Sequence, residues 1–405
     1  MKGKIVLIVV TPLIILAVAL AIGSVLILRL FSVAVLTLLL SYLWVRVGIR
    51  GITSQITRDA ERCQAGEHFN EEIMVFSSSR IPKFLVKMEE NTTLPGHHNG
   101  AVFNLSAKGS YFWQAKAYCP RRGQYTLGPL TATVTDPFGF FSMHRNTGEP
   151  EDIIVYPATP ELPFFQLPSH HEPGPGSSRW LVGEIGPNAA RVREYANGDT
   201  PNRIHWRSTA HTGKLMVKEF DADRSDYATK YTWIVLDMHQ DSKLGNGDES
   251  TEEYGITIAA SLIKKYVDSG QHIGLIASGD QPYLFPPETG SQHLRHMLEA
   301  LARMKATGEV PVERLISQEI ERFGINSVII VVTSAANERM AAFLRQARKR
   351  GALVIVISLD AASFGGTVRG INATSSLVSG GFQVYLIKKG DELPKALDSR
   401  TLIHR

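Results

Sequence analysis

Charge is missing from Ile5 to Leu28, and after the single Arg29 it is missing again from Leu30 to Val45. Those 40 uncharged positions are about twice the roughly 20 residues of one bilayer crossing. The pattern predicts a transmembrane helical hairpin over residues 1–50. Its turn is expected between Gly23 and Phe31, since lipid cannot satisfy irregular backbone. A cleaved signal peptide ending near Ala19-Leu20-Ala21 is the rival, disfavoured because the apolar run continues past that site. Beyond it the period changes to two. Glu72-Ile73-Met74-Val75-Phe76 and Phe84-Leu85-Val86-Lys87-Met88 alternate as half-buried strands do, and turn clusters such as 94–100 separate them. Residues 56–162 are therefore expected to form an antiparallel β-sandwich-like domain.

A stretch rich in Pro, Gly and Ser over 163–179 reads as a linker. Its His170-His171-Glu172 lacks the spacing of a structural metal site and reads as solvated loop. A polar segment, 180–230, precedes a regular alternation of apolar runs and helical stretches over 231–400. Strands are expected at Thr232–Leu236, His272–Ala277, Ser327–Val332, Leu353–Leu359 and Gln383–Ile387. Helices are expected near Glu252–Ser269, Gln292–Lys305, Val312–Phe323 and Asn337–Arg350. That order predicts a doubly wound α/β domain with its site at the carboxyl ends of the strands.

Charge adds a direction. Residues 1–62 carry seven basic and two acidic side chains, leaving 36 basic against 37 acidic beyond them. The net charge of +4 thus belongs to the N-terminus and is no footprint for nucleic acid. Lys2 and Lys4 precede the apolar runs, and Arg46, Arg50, Arg58 and Arg62 follow. The positive-inside rule then places both ends of the hairpin, and all that follows, in the cytoplasm at the cell membrane. Tyr42 and Trp44 sit where an interfacial aromatic anchor belongs. Two cysteines, Cys63 and Cys119, exclude a disulfide scaffold and a four-cysteine zinc site, and a reducing cytoplasm disfavours their pairing.

Two punctuated stretches stand out in the β-rich part: Arg121-Arg122-Gly123-Gln124-Tyr125, and Asp136-Pro137-Phe138-Gly139-Phe140-Phe141. Turn chemistry, with aromatics stapling the sheet, is preferred there to a partner-binding edge.

The segment from 193 to 221 holds Arg193-Glu194-Tyr195, Gly198-Asp199, Arg203-Ile204-His205-Trp206, Thr209-Ala210 and Leu215 through Val217 to Glu219. This series resembles the bacterial family known as domain of unknown function 58, and the apolar N-terminus, both punctuated stretches and the α/β part come in that family's order. The residues allow two arrangements. Arg203 could fork onto Asp199 or Glu194 with Trp206 as a buried anchor at a domain junction, slightly the preferred one. Alternatively Arg193, Glu194, Tyr195, Gly198, Asp199, Arg203, Trp206 and Glu219 form an exposed docking surface. Gly213-Lys214 is followed by Leu215 and is not a phosphate loop.

The α/β part resembles a von Willebrand factor A domain. That resemblance implies a divalent cation held by an Asp-x-Ser-x-Ser motif, a Thr and a second Asp. Asp237 matches, whereas His239 and Asp241 replace the serines, and Thr333-Ser334 ends the later strand where the second Asp belongs. Asp237, His239 and Asp241 could still ligate a metal; the preferred reading leaves them a loop cap and two solvated side chains, with no cofactor required.

Common catalytic signatures are absent: no Gly-x-Ser-x-Gly elbow, His-Glu-x-x-His helix, dinucleotide fingerprint or Walker loop occurs. The expected function is a non-enzymatic, membrane-anchored scaffold for protein partners. The family resemblance implies a MoxR-type AAA ATPase as that partner, in assembly or activation of another complex. The alternatives are a metal-dependent hydrolase using the Asp237 cluster and, with reversed topology, an envelope adhesion module.

Overall fold

In this computed structural model, which describes residues 2–59, 62–167, 189–196, 204–220, 231–324, 327–366 and 376–399, two helices open the chain. They are α1 (Lys2–Ile22) and α2 (Val25–Gly48). Gly23 breaks between them at φ +67°, a conformation glycine adopts without a Cβ penalty. Among the described residues, α2 is the helix long and apolar enough to cross a membrane, and the apolar run described in α1, Val10–Ile22, is shorter. Only 6% of the apolar window of α2 is buried, so the protein's own core does not account for its composition. One helix that could anchor in a membrane is therefore present among the described residues.

The chain divides into two units, one built on Met1–Ala158 and the other on Thr159–Ala300 with Met304–Arg405. In the first, β1 (Ile52–Arg58), β3 (His68–Ser77) and β6 (Ser110–Tyr118) make an antiparallel sheet in the order β1-β3-β6. A second sheet runs β2 (Arg62–Gln64), β9 (Glu151–Tyr156), β7 (Gly123–Thr135), β4 (Lys83–Thr92), β5 (Gly100–Leu105), with β8 (Ser142–Thr147) also paired to β7. Its β2–β9 pair is parallel, a departure from the all-antiparallel expectation. Ile52, Ile73 and Val75 of the first sheet share one core with Val86, Met88, Phe103, Leu105, Leu130 and Val134 of the second. Each such buried side chain contributes about 1.5–3 kcal/mol.

The sandwich grips the end of α2. Ile49 and Ile52 enter its core directly, and the buried Lys83 ammonium donates to the carbonyls of Gly48 (2.7 Å) and Arg50. The first is a carbonyl that the helix C-terminus leaves without an intrahelical partner, and the second belongs to the turn that follows. A Cβ on Gly48 would lie 2.8 Å from Val134 Cγ1, so glycine lets helix and sheet touch. Cys63 and Cys119 are free and buried.

The second unit holds a six-stranded sheet from β12 (Tyr231–Leu236), β13 (His272–Ser278), β14 (Pro282–Glu288), β15 (Ser327–Thr333), β16 (Leu353–Leu359) and β17 (Gln383–Ile387). Its order is β14-β13-β12-β15-β16-β17, all parallel except the edge hairpin β13–β14. Helices cover both faces. The even residues Leu236 and Val332 lie within 4 Å of a Cβ placed on Gly255 in α4 (Thr251–Asp268). The odd residues Trp233, Val235, Ile329 and Val331 pack with α6 (Val312–Gln318) and α7 (Glu338–Lys349); α5 (Ser291–Arg303) precedes these two in the chain.

The linker is expected from Pro163, but residues 163–167 are packed onto the second unit. Phe165 is buried against Tyr266 and Tyr385, and Lys265 Nζ donates to the Leu162 and Phe165 carbonyls (2.5 and 2.6 Å). One aromatic with a core to enter overrides the local proline content. His170, His171 and Glu172 lie outside the described residues.

Candidate functional site

Because β12 starts the sheet at its centre and the chain then builds outward on either side, the carboxyl ends of β12 and β15 flank the crevice where ligands of such sheets bind. Asp237 leaves β12 into that crevice, and its carboxylate is buried. Oδ2 accepts from Thr333 Oγ1 (2.5 Å), at the end of β15, and from Ser242 Oγ (2.8 Å). Oδ1 accepts from the His239 backbone N–H (3.1 Å). Ser334 Oγ and Thr251 Oγ1 both donate to the Ser242 carbonyl (2.6 and 2.7 Å). Burial pushes the Asp237 carboxyl above its ordinary range, while the hydroxyls of Thr333 and Ser242 pull it back.

The structure thus gathers Asp237, Thr333 and Ser334: Thr333 bonds Asp237 directly, and Ser242 joins Asp237 to Ser334. It does not gather Asp237, His239 and Asp241 as a ligand set. His239 Nδ1 accepts from the Asp241 N–H (3.2 Å) as a cap, and the Asp241 side chain is 84% exposed. A divalent cation of the calcium or magnesium kind takes six or more oxygens, carboxylates prominent among them. Here one inward carboxylate already accepts three hydrogen bonds, so the residues as placed do not fit that cation. They tie the first strand, its loop and a later strand together. Thr333→Val is expected to cost about 1–3 kcal/mol by leaving a buried acceptor short of a donor, read as a lowered denaturation midpoint.

Beneath this loop, Gly308 N–H donates to Met238 O (3.0 Å) and its carbonyl accepts from Gln240 N–H (3.0 Å). A Cβ there would lie 1.9 Å from Ser278 O. Gly308→Ala is therefore expected to destabilise the second unit by at least about 1–3 kcal/mol, checked by the same unfolding measurement.

The signature segment folds locally. β10 (Ala189–Glu194) pairs antiparallel with β11 (Met216–Phe220), setting Arg193 opposite Val217 and Arg191 opposite Glu219. Between them in sequence, α3 (Trp206–Thr212) is capped by His205, whose Nδ1 accepts from Ser208 N–H, and ended by Gly213 at φ +70°. Tyr195 N–H donates to Leu215 O (2.8 Å) and His205 N–H to Met216 O (2.7 Å), closing the loop. Glu194 pairs with Lys214 (2.6 Å) in full solvent. Trp206 is 68% exposed and Leu215 is exposed beside the hairpin, so Trp206 is not a buried anchor. Gly198, Asp199 and Arg203 lie outside the described residues, as does the fork expected of Arg203.

Sequence reasoning passed over a third constellation, in the sandwich. Arg58, Glu71 and Glu90 face inward from β1, β3 and β4, and His97 and Asn99 reach them from the 93–99 connection. Arg58 Nε meets Glu71 Oε1 (2.9 Å), its Nη2 meets Glu90 Oε1 (2.7 Å) and its Nη1 meets Glu151 Oε2 (2.5 Å). His97 Nε2 lies 3.1 Å from Glu90 Oε2 and 3.2 Å from Glu71 Oε2. Asn99 Nδ2 donates to Glu71 (3.0 Å), and Trp113 Nε1 donates to Asn99 Oδ1 (3.0 Å). Burial alone would lower the His97 pKa, but the hydrogen bonds and charges of Glu71 and Glu90 raise it to about 9. Burial works to raise that of Glu71, and His97 and Arg58 hold it below its ordinary value. Among the described residues, Glu71, Glu90 and His97 are the His, Cys, Asp and Glu side chains whose ligand atoms converge within 4.8 Å. The Arg58 guanidinium already supplies the cation there, which makes the cluster a bridge between the two sheets.

Residues 191–363 match the family model described as "Protein of unknown function DUF58". The chain is also similar to "Uncharacterized protein YeaD" of Bacillus subtilis (strain 168), at 25% identity over 220 residues, or 54% of this chain and 52% of that protein. It therefore spans about half the length of that curated relative. Among solved structures, proximal thread matrix protein 1 from the mussel byssus aligns at 12% identity with a TM-score of 0.32, over 42% of this chain and 46% of that one. A CARDB domain from Pyrococcus furiosus aligns at 15% identity with a TM-score of 0.21, over 26% and 94%. At such scores neither likeness bears on function.

Proposed function

We propose that the protein is a membrane-anchored scaffold with its soluble units in the cytoplasm, whose second unit docks a protein partner to assist assembly or activation of another complex. A MoxR-type AAA ATPase is the partner that the resemblance of the 193–221 series implies. The single observation that carries the docking role is Trp206: a tryptophan held 68% exposed on a segment fixed by a strand pair, a cap and a helix-ending glycine. Fully desolvated Trp side chains are typical interface hot spots. An exposed Trp on a hydrogen-bonded backbone gains that energy when a partner covers it, with less backbone ordering left to oppose binding. The Asp237 crevice supports a scaffold over a hydrolase, because its polar atoms are committed to one another. The bare apolar surface of α2, followed by Arg46 and Arg50, supports the anchor and its orientation.

A benzophenone amino acid in place of Trp206, irradiated in cells of the native host, tests the proposal. One major adduct containing an AAA ATPase is expected. An absence of any protein adduct would contradict it.

A further inference from the structure

The first unit has two unlike ends. At the end that receives α2 lie the connections 78–82, 106–109 and 136–141. Ile81, Phe84, Leu85, Phe138 and Phe140 are all exposed there. Two local devices turn them outward. The register between β4 and β5 slips between Lys83 and Val86, and Leu85 takes φ +52° with its N–H on Asn104 Oδ1 (2.8 Å). Such a bulge breaks alternation and is strained for a bulky residue, and it leaves Phe84 and Leu85 both pointing away from the core. In the other loop, the buried Asp136 carboxylate accepts from the backbone N–H groups of Phe138 (3.0 Å) and Phe141 (2.6 Å). The turn closes through Gly139 at φ +73°, and Phe138 and Phe140 stack on each other outside it (5.7 Å). Turn chemistry accounts for the backbone of this stretch, but Phe138 and Phe140 project instead of stapling the sheet.

These loops sit at a definite level on α2. Phe84 stacks on Trp44 (5.9 Å) and Phe141 meets Tyr42 edge-on (5.8 Å). A mainly apolar cavity of about 400 Å³ opens between Leu40, Leu43, Trp44 and Val47 of the helix and Ile81 and Phe84 of the sandwich. Leu40 is four residues before Trp44, about 6 Å further along the axis at 1.5 Å per residue. Charge agrees: Arg46, Arg50, Arg80 and Lys108 are exposed at this end, and Asp136, the acidic residue of these connections, is folded into its turn. The opposite end is mixed in charge, with Asp59, Glu67 and Glu149 beside Arg121 and Arg122.

We infer that this end of the sandwich is itself a membrane-binding surface. Ile81, Phe84, Leu85, Phe138 and Phe140 enter the interfacial layer of an anionic bilayer, and lipid acyl chains fill the cavity against α2. The inference rests on the membrane-anchored reading above. Apolar side chains ringed by basic ones bind lipid interfaces this way, about 5–10 Å into the headgroup boundary.

The test uses the full chain in phosphatidylcholine–phosphatidylglycerol vesicles with nitroxide on the acyl chains. Because both native thiols are buried, a fluorophore can be placed through Leu85→Cys, Phe138→Cys, Leu36→Cys on α2, or Lys116→Cys on the exposed sheet face. Quenching at Leu85 and Phe138 is expected to approach that at Leu36 and to exceed that at Lys116 several-fold. Quenching at Leu36 with Leu85 and Phe138 no different from Lys116 would overturn the inference and leave the anchor standing. No quenching at Leu36 would overturn both.

Discussion

Glu71→Ala is expected to lower the unfolding free energy of the first unit by about 3–5 kcal/mol, because the buried Arg58 and His97 cations are left to share Glu90 as their one buried carboxylate. Arg58 and His97 would both lose their contact with one carboxylate while staying out of water. Replacing Arg58 and Glu71 together by apolar residues of similar volume is expected to cost far less, since pairing rather than charge is what the site requires. Trp113 reports the event, because its indole donates to Asn99 in the same network. Denaturant titration followed by its fluorescence reads both variants.

The same cluster gives stability a pH dependence of known sign. The His97 pKa is raised from 6.5 to about 9, so its contribution is complete below pH 6.5 and is lost as pH rises through 9. At about 1.4 kcal/mol per unit, that contribution is roughly 3 kcal/mol at most. Glu71 is held below its ordinary 4.5. Its contribution is present above that value and is lost as pH falls through the lowered one. A plateau near pH 5–6.5 with a decline on the alkaline side is expected, and His97→Gln should flatten that decline.

Trp206→Ala should weaken partner binding by about 2–4 kcal/mol, or roughly 30- to 1,000-fold in Kd. Stability should stay within about 0.5 kcal/mol of wild type, as for other surface substitutions, because the ring is mostly in solvent. Leu215→Ala should weaken binding less, in keeping with its smaller side chain. Loss of binding together with loss of folding would assign Trp206 a structural role instead.

The strands of the α/β unit were legible because parallel strands covered on both faces read as unbroken apolar runs. β14 was not: Pro286 and Pro287 argue against a strand, and an edge position tolerates them. In the sandwich the period-2 pattern held the clue to the buried charges. Glu71 falls in step with Phe69, Ile73 and Val75, Glu90 with Val86 and Met88, and Arg58 with Ile52 and Ile56. Each alone reads as a polar interruption; their meeting depends on strand pairing, which sets Arg58 opposite Glu71. His97 comes from a turn cluster and carried no signal. Ser242 is not legible in the sequence because the motif places serines two and four residues after Asp237, whereas a short helical turn brings in the one five residues on. The exposure of Trp206 depends on what packs over it, which periodicity does not encode.

The most direct measurement of the central claim is co-purification from native-host membranes with a C-terminal tag, wild type beside Trp206→Ala. An AAA ATPase is expected to be retained by wild type and lost from the variant, with both proteins equally folded and equally membrane-bound. An ATPase retained equally by both, or by neither, would contradict the claim.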